Sequence, residues 1–343
     1  MNTPGNAIKP FAWGVIGTGP SARDFTQDLQ YVTERSCFVK AVLGSEDAED
    51  LTSFADDFTI PLVYTDMQAF LEEAQVDAVY IAAPAPFRYP YVIRCLQGGV
   101  PVLCETPMVL STTQASTLIE VSHRTGVFCM EGMPLRFLPS LYAVLSILHT
   151  QSIGDLVSVR ASLSGKVGAP DADFAFPGGG ALLSLGSYPI FLSLLLLGEL
   201  VSVKAAGRLF PDGNDECCTC LLAFEGGRYA NLECSWIADA KDEAVITGKK
   251  GTITLHDPWH WQPGGISIAL GGEVVVRRDS SWEGKGLHFM VSEMLRCLDA
   301  GLVQSDLMSL AMSRRIGSVM ETIRDQLSSG SQAPPAAKLY WEG

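Results

Sequence analysis

The run Gly17-Thr18-Gly19-Pro20-Ser21-Ala22 sets two glycines and a small residue in the spacing G-x-G-x-x-A. It follows an apolar run at residues 12–16 and precedes a helical stretch at 22–31, the context in which such a loop suits a dinucleotide pyrophosphate. Gly17 permits the tight turn, and Gly19 lets the backbone approach the diphosphate. Ala22 is small enough for the helix to lie close on the sheet. The helix start then offers N–H groups and its positive end to the phosphates, although Pro20 removes one of those N–H groups. Without a ligand the same residues make a plain turn between strand and helix.

The second apolar run ends Val42-Leu43-Gly44-Ser45-Glu46-Asp47, near the distance at which a ribose-reading residue belongs. No Arg or Lys follows Ser45 and Glu46 to hold a 2′-phosphate, and two carboxylates repel one. NAD is therefore expected over NADP. Glu46 and Asp47 serve equally well as the first residues of the next helix. Other reactive residues carry less. Cys217, Cys218 and Cys220 lie in a strand-like run, where alternate side chains face opposite ways, so no metal site is expected. Trp259-His260-Trp261 could line a substrate or subunit surface, or be an aromatic turn at a sheet edge. His288 opens a late helix and reads as a core or surface histidine.

The elements that would position these residues follow from periodicity. Short apolar runs at 12–16, 39–43, 78–81, 102–104 and 128–130 alternate with helical stretches at 22–31, 51–58, 67–73, 89–97 and 112–125. That rhythm implies a parallel sheet with helices on both faces. Past residue 130 it changes. Helical pieces at 140–149 and 181–197 interrupt strands at 156–164, 201–209, 216–224, 229–236, 244–247, 251–256, 266–270 and 274–278. Turns such as Pro211-Asp212-Gly213 and Gly271-Gly272 separate them. Helices at 287–300 and 309–328 close the fold, and the tail 329–343 reads as a surface strap. The fold class is α/β: a Rossmann domain at 1–130, then an α+β domain at 131–343 with an open, mostly antiparallel sheet. The last helix and tail are candidates to pack back on the first domain.

Bulk properties narrow the role. The 343 residues suit two domains. A formal charge of −14 argues against nucleic acid and against a membrane surface. The first residues lack an apolar run, and nine cysteines are an odd number, so a cytoplasmic chain with reduced thiols is expected.

Several segments resemble the glucose–fructose oxidoreductase/inositol dehydrogenase (Gfo/Idh/MocA) family, and most of all its dimeric dihydrodiol dehydrogenase branch. They are Val76-Asp77-Ala78-Val79-Tyr80-Ile81-Ala82, Val102-Leu103-Cys104-Glu105-Thr106-Pro107, Met130-Glu131-Gly132-Met133-Pro134-Leu135-Arg136-Phe137 and the glycine-rich run from Gly178 to Tyr188. The likeness runs in order from Trp13 to about Gln326. It implies NAD(P) held in the first domain by Gly17–Ala22, Ser45, Glu46, Ala83, Pro84, Glu105 and Pro107. It also implies a small sugar, polyol or alicyclic alcohol as substrate, and homo-oligomers paired through the second-domain sheet.

The resemblance also marks departures. The family's Glu-Lys-Pro stands here as Glu105-Thr106-Pro107, so the lysine beside the nicotinamide becomes an uncharged Thr106. The usual acidic residue is Ser184, the common Asn and His are Ala85 and Arg88, and Pro134 and Leu135 replace aromatic and hydroxyl residues. Tyr188 stands where the branch carries a tyrosine acting as general acid. A phenol, ordinarily near pKa 10, needs a nearby cation or donor to work at neutral pH. Arg88 or Arg136 would supply it if either faced the pocket, with Arg136 and Ser184 toward the substrate. Alternatively Tyr188 caps a buried helix and Arg88 is a solvated helix-start residue. In this fold the bond before the proline is often cis, which would keep the site's shape at Thr106–Pro107. Three readings result: an NAD(P)-dependent oxidoreductase acting on CH–OH groups, a pseudoenzyme that still binds a dinucleotide or other ligand, and a scaffold that binds none.

Overall fold

Strands buried on both faces read as unbroken apolar runs, and the first sheet is built from them. The computed structural model describes residues 9–45, 49–165, 179–238, 241–262 and 264–330. Its first sheet is parallel: β1 (Phe11–Ile16), β2 (Cys37–Leu43), β3 (Leu62–Tyr64), β4 (Ala78–Ile81), β5 (Val102–Glu105) and β6 (Cys129–Gly132), in the order β3-β2-β1-β4-β5-β6. Every residue of β1, β4, β5 and β6 is buried. Helices α1 (Pro20–Asp28), α2 (Glu49–Phe58), α3 (Met67–Glu73), α4 (Ala85–Gln97) and α5 (Thr112–Thr125) make the crossovers. The order reverses between β1 and β4, which opens a crevice at the carboxyl ends of the strands.

Periodicity misses β3, because three half-exposed residues at the sheet edge are too short to show a pattern. β6 continues through Gly132, so the first sheet reaches past residue 130.

Two short helices, α6 (Pro134–Phe137) and α7 (Pro139–His149), lead into the second sheet. Its eight strands are β7 (Leu156–Ser164), β8 (Leu200–Leu209), β9 (Asp215–Phe224), β10 (Tyr229–Ser235), β11 (Glu243–Gly248), β12 (Gly251–His256), β13 (Ile266–Leu270) and β14 (Glu273–Arg278). The order is β14-β13-β12-β11-β7-β10-β9-β8, antiparallel except where β10 runs parallel to β7. Burial alternates along β9: Cys218, Cys220, Leu222 and Phe224 face inward while Leu221 faces out.

The helical stretch at 181–197 is not continuous. It forms α8 (Ala181–Leu185) and α9 (Ser187–Leu197). Pro189 lacks the N–H that would bond back to Leu185, so the helix divides there. Both pieces pack on the inner face of the second sheet. Then come α10 (His288–Asp299), against α6, and α11 (Leu310–Gly330), which lies on both β8 and α5 and ties the two sheets together. Residues 331–343 of the tail lie outside the described residues. No helix among the described residues is long and apolar enough to cross a membrane.

Candidate active site

The glycine loop leaves the carboxyl end of β1. Gly17 has φ +105°, and its N–H donates to Leu43 O at 2.9 Å. A Cβ there would stand 2.9 Å from Ala82 O, so the turn requires glycine. Gly19 is the N-cap of α1, in ordinary extended geometry (φ −68°, ψ −176°), and no side chain caps the helix. A Cβ on Gly19 would meet no atom of the described residues within 4 Å. The helix thus presents an uncapped N-terminus with open space before it, which is what a pyrophosphate requires.

Thr18 lies half-buried in the turn, Pro20 opens the helix, and Ala22 is fully buried against the sheet. Ala83 and Pro84, the latter the N-cap of α4, flank the same crevice from β4. Ser45 is exposed at the end of β2; Glu46 and Asp47 lie outside the described residues. Loop and helix start fit a dinucleotide.

Beside this loop a cleft of about 220 Å³ runs between the two sheets. The first domain contributes Ser21 and Asp24 of α1 and Glu105 at the end of β5; the second contributes Tyr188, His260, Trp261 and Lys285. Glu105 is held from behind, because the buried Tyr80 hydroxyl donates to its Oε1. Burial, and then the Glu105 charge, push the Tyr80 phenol well above its ordinary value, so it stays protonated and remains a donor. Tyr80 in turn stacks on Phe25, with ring centroids 3.7 Å apart.

Thr106 precedes Pro107 through a cis bond. Its hydroxyl donates to Glu131 Oε1 at 2.8 Å, and the Met108 N–H reaches the same oxygen at 3.0 Å. Thr106 is therefore tied to the interior of the sheet and is not among the side chains that line the cleft. Glu131 is only 1% exposed, and burial raises its carboxyl above the ordinary 4.5 despite the hydrogen bonds that pull it down. The Ser313 hydroxyl contributes the largest of those downward effects. A raised carboxyl favours the protonated form in the fold, so stability declines as pH climbs from 4.5 through the folded value. Glu131→Gln keeps the acceptor for both donors and removes that cost. The variant should melt above wild type at neutral pH, the gap closing as pH falls below 4.5, in thermal scans across pH.

Arg88 is not a solvated helix-start residue. It is 4% exposed, and it donates through Nε to Ala83 O and through Nη1 to Thr106 O, each at 2.7 Å. It thereby fastens the loop after β4 to the loop after β5. The cation expected at the pocket from Arg136 is not there either. Its Nε donates to Leu307 O at 2.9 Å, and its guanidinium lies 5.6 Å from the Tyr142 ring. The reason is its place in α6, which packs toward α10 and the segment before α11. Ser184, expected toward the substrate, donates to Gly180 O at 2.9 Å within its own helix turn.

Tyr188, in the first turn of α9, does reach the cleft, its ring 4.9 Å from that of His260. Burial pushes His260 down to about 3, so at neutral pH it is uncharged. Trp259 is a core residue, fully buried and donating to Ser162 O at 2.9 Å. The other two residues of that aromatic turn, His260 and Trp261, line the cleft. Sequence reasoning does not reach Tyr80, Asp24 or Lys285. The signals were a polar aromatic inside a buried strand and a lysine set between Gly284 and Gly286.

Comparison with known proteins agrees with this geometry. Residues 11–133 match the oxidoreductase family with an NAD-binding Rossmann fold, and residues 143–254 match the Gfo/Idh/MocA C-terminal domain. The chain is 30% identical over 325 residues to the trans-1,2-dihydrobenzene-1,2-diol dehydrogenase of Xenopus tropicalis, spanning 92% of this chain and 97% of that relative. Among solved structures it is similar in fold to aldose-aldose oxidoreductase from Caulobacter crescentus, with TM-score 0.82, 20% identity, and 94% and 98% of the two chains covered. A 3-ketoreductase from Actinomadura kijaniata in complex with NADP and TDP-benzene gives TM-score 0.80 and 23% identity, over 93% and 98%. With both halves matched in order and a relative aligned along nearly its whole length, this chain belongs to the Gfo/Idh/MocA oxidoreductase family.

Proposed function

We propose that the chain is an NAD(H)-linked oxidoreductase acting on a CH–OH group of a small polyol, sugar or alicyclic alcohol. The observation that carries this reading is the cleft itself. It gathers Ser21 beside the glycine loop, Glu105 at a strand end and the phenol of Tyr188 into one space. Gly17–Ala22 would hold the dinucleotide, with Ala83, Pro84, Glu105 and Pro107 flanking it, and the bound cofactor would supply or accept the hydride. Tyr188 gives or takes the hydroxyl proton. Glu105 stays fixed through Tyr80, and Arg88 holds the loop that carries Thr106 and Pro107. Preference for NAD over NADP rests on Ser45-Glu46-Asp47, where carboxylates stand and no Arg or Lys follows to meet a 2′-phosphate. Family relatives include dihydrodiol dehydrogenases, which supports an alicyclic diol as one substrate class. Two copies would pair through the outer face of the second sheet, where Leu221, Tyr229 and Val275 are 50%, 45% and 53% exposed.

One observation favours a second reading. Thr106 has no charge and its hydroxyl is spent on Glu131, so a protein that binds a dinucleotide without turnover would look the same at that position. Titration of the cofactor-stripped protein with NADH and NADPH, followed by assays on trans-diols, polyols and aldoses, separates the two. NADH binding with turnover of any of these sustains the enzyme. Binding with no turnover leaves the ligand-binding reading, and binding of neither dinucleotide overturns both.

A further inference from the structure

Among the described residues that line the cleft, Lys285 is the one cation. Its Nζ stands 4.6 Å from the centre of the Trp261 ring, a placement that holds an ammonium without neutralising it. Lysines on surface loops are ordinarily loose, but this one is fixed from below. Asp28, 1% exposed at the end of α1, accepts the backbone N–H of Lys285 at 2.8 and 2.9 Å with its two oxygens, and that of Leu287 at 2.8 Å. Gly284 and Gly286 on either side have φ of +69° and +84°. A Cβ on Gly284 would stand 2.3 Å from Asp28 Oδ1, so the clasp closes only over glycine. A buried carboxylate given to a loop's backbone is a costly device unless the loop's position matters.

The site has a use for that charge. Position 106 holds a threonine tied to Glu131, burial keeps His260 neutral, and Arg88, whose charge reaches Tyr80, sits behind the loops and not on the cleft wall. Among the described residues, the charged and titratable groups around Tyr188 include Asp24 from α1, Tyr80 from β4, Arg88 from α4, Glu105 from β5, His260 and Lys285. The Lys285 charge is felt in the cleft at Asp24, whose carboxyl it draws down against the larger upward effect of burial.

We propose that Lys285, held by Asp28, supplies the cleft's positive charge from the opposite side of the site and lowers the proton affinity of Tyr188. It is a positioning residue acting through the phenol, and the inference rests on Tyr188 being the proton-transfer group. The test needs neither cofactor nor substrate. The full chain is labelled at the tyrosine ring carbons and titrated by NMR, with the Tyr188 signal assigned by its loss in Tyr188→Phe. Lys285→Met should raise the proton affinity of Tyr188 at least about threefold, and Lys285→Arg should leave it near wild type. Where turnover is measurable, the limb of the pH–rate profile that reports the phenol moves by the same factor.

An unmoved Tyr188 signal in folded Lys285→Met overturns the proposal, whether or not the protein turns over a substrate. So does a tenfold loss of NADH affinity with the phenol unmoved, which would make Lys285 a phosphate contact. A moved phenol in a protein that binds no dinucleotide sinks the proposed function and leaves the charge assignment intact. Lys285→Met retains the backbone bonds to Asp28, and its melting temperature shows whether the loop has held.

Discussion

Gly19→Val should cost about 100-fold or more in NADH affinity, about 2.7 kcal/mol, while leaving the fold as stable as before. Few glycine substitutions separate binding from folding so cleanly. Backbone angles of −68° and −176° are open to any residue, so valine meets no strain. Its Cβ meets no atom of the described residues within 4 Å, so nothing in the core is displaced. The space it fills lies in front of the uncapped start of α1, where the diphosphate must come close to backbone N–H groups. A branched side chain keeps it away. Restriction of the unfolded chain could even add about 0.4–1 kcal/mol of stability. Gly17→Ala is the contrasting control. There φ is +105° and the new Cβ falls 2.9 Å from Ala82 O, so the loss appears first in stability, on the order of 1–3 kcal/mol. Quenching of Trp261, which lines the cleft, reads the affinities, and thermal melts read the stabilities. Unchanged NADH affinity in a folded Gly19→Val protein would remove the dinucleotide from this loop.

The contrast between those two glycines shows what sequence could and could not convey. Their spacing, and the buried runs of β1, β4 and β5, are local features, so loop and sheet were legible. A strand covered on both faces must be apolar throughout, whereas β3, half-exposed at the edge, leaves no such mark. In the second domain the alternation along β9 and β10 announced strands because one face alone is buried. The break between α8 and α9 had a local cause in Pro189, outweighed in the reading by the apolar run around it.

The cleft is another matter, because its parts meet only in three dimensions. Asp28 and Lys285 are 257 residues apart in sequence, and no pattern near either foretells the other. Arg88 illustrates the same limit. At a helix start it has the look of a solvated residue, and only the nearness of the Thr106 carbonyl, 18 residues on, makes it a buried clamp. The resemblance pointed to Tyr188 and Thr106 as candidates, but the partner of Thr106, Glu131, came from the neighbouring strand. A substitution that removes a charge from a site is visible in sequence. Where a compensating charge, such as the one proposed for Lys285, would enter is not.

Tyr188→Phe should lower kcat by about 10²–10⁴-fold, the usual worth of a positioned proton donor, with dinucleotide affinity unchanged. The phenylalanine ring keeps the packing against His260, 4.9 Å between centroids, and loss of one hydroxyl costs stability by only about 0.5–1.5 kcal/mol. A fall in kcat without a fall in NADH binding therefore reports the proton and not the fold. The other groups on the cleft are poorly suited to replace it. His260, near 3, holds no proton to give at neutral pH. Tyr80 holds its proton too firmly, in a bond to Glu105 that occupies that carboxylate as acceptor. Lys285 is held against Trp261 and carries charge, a role that lowers the cost of a phenolate without passing the proton itself. Steady-state rates across pH check the assignment, since the variant should lose one limb of the wild-type profile as well as most of its height. Full activity in Tyr188→Phe would hand the proton to a carboxyl of the cleft, and Asp24, whose value burial raises, would be the first to replace in turn.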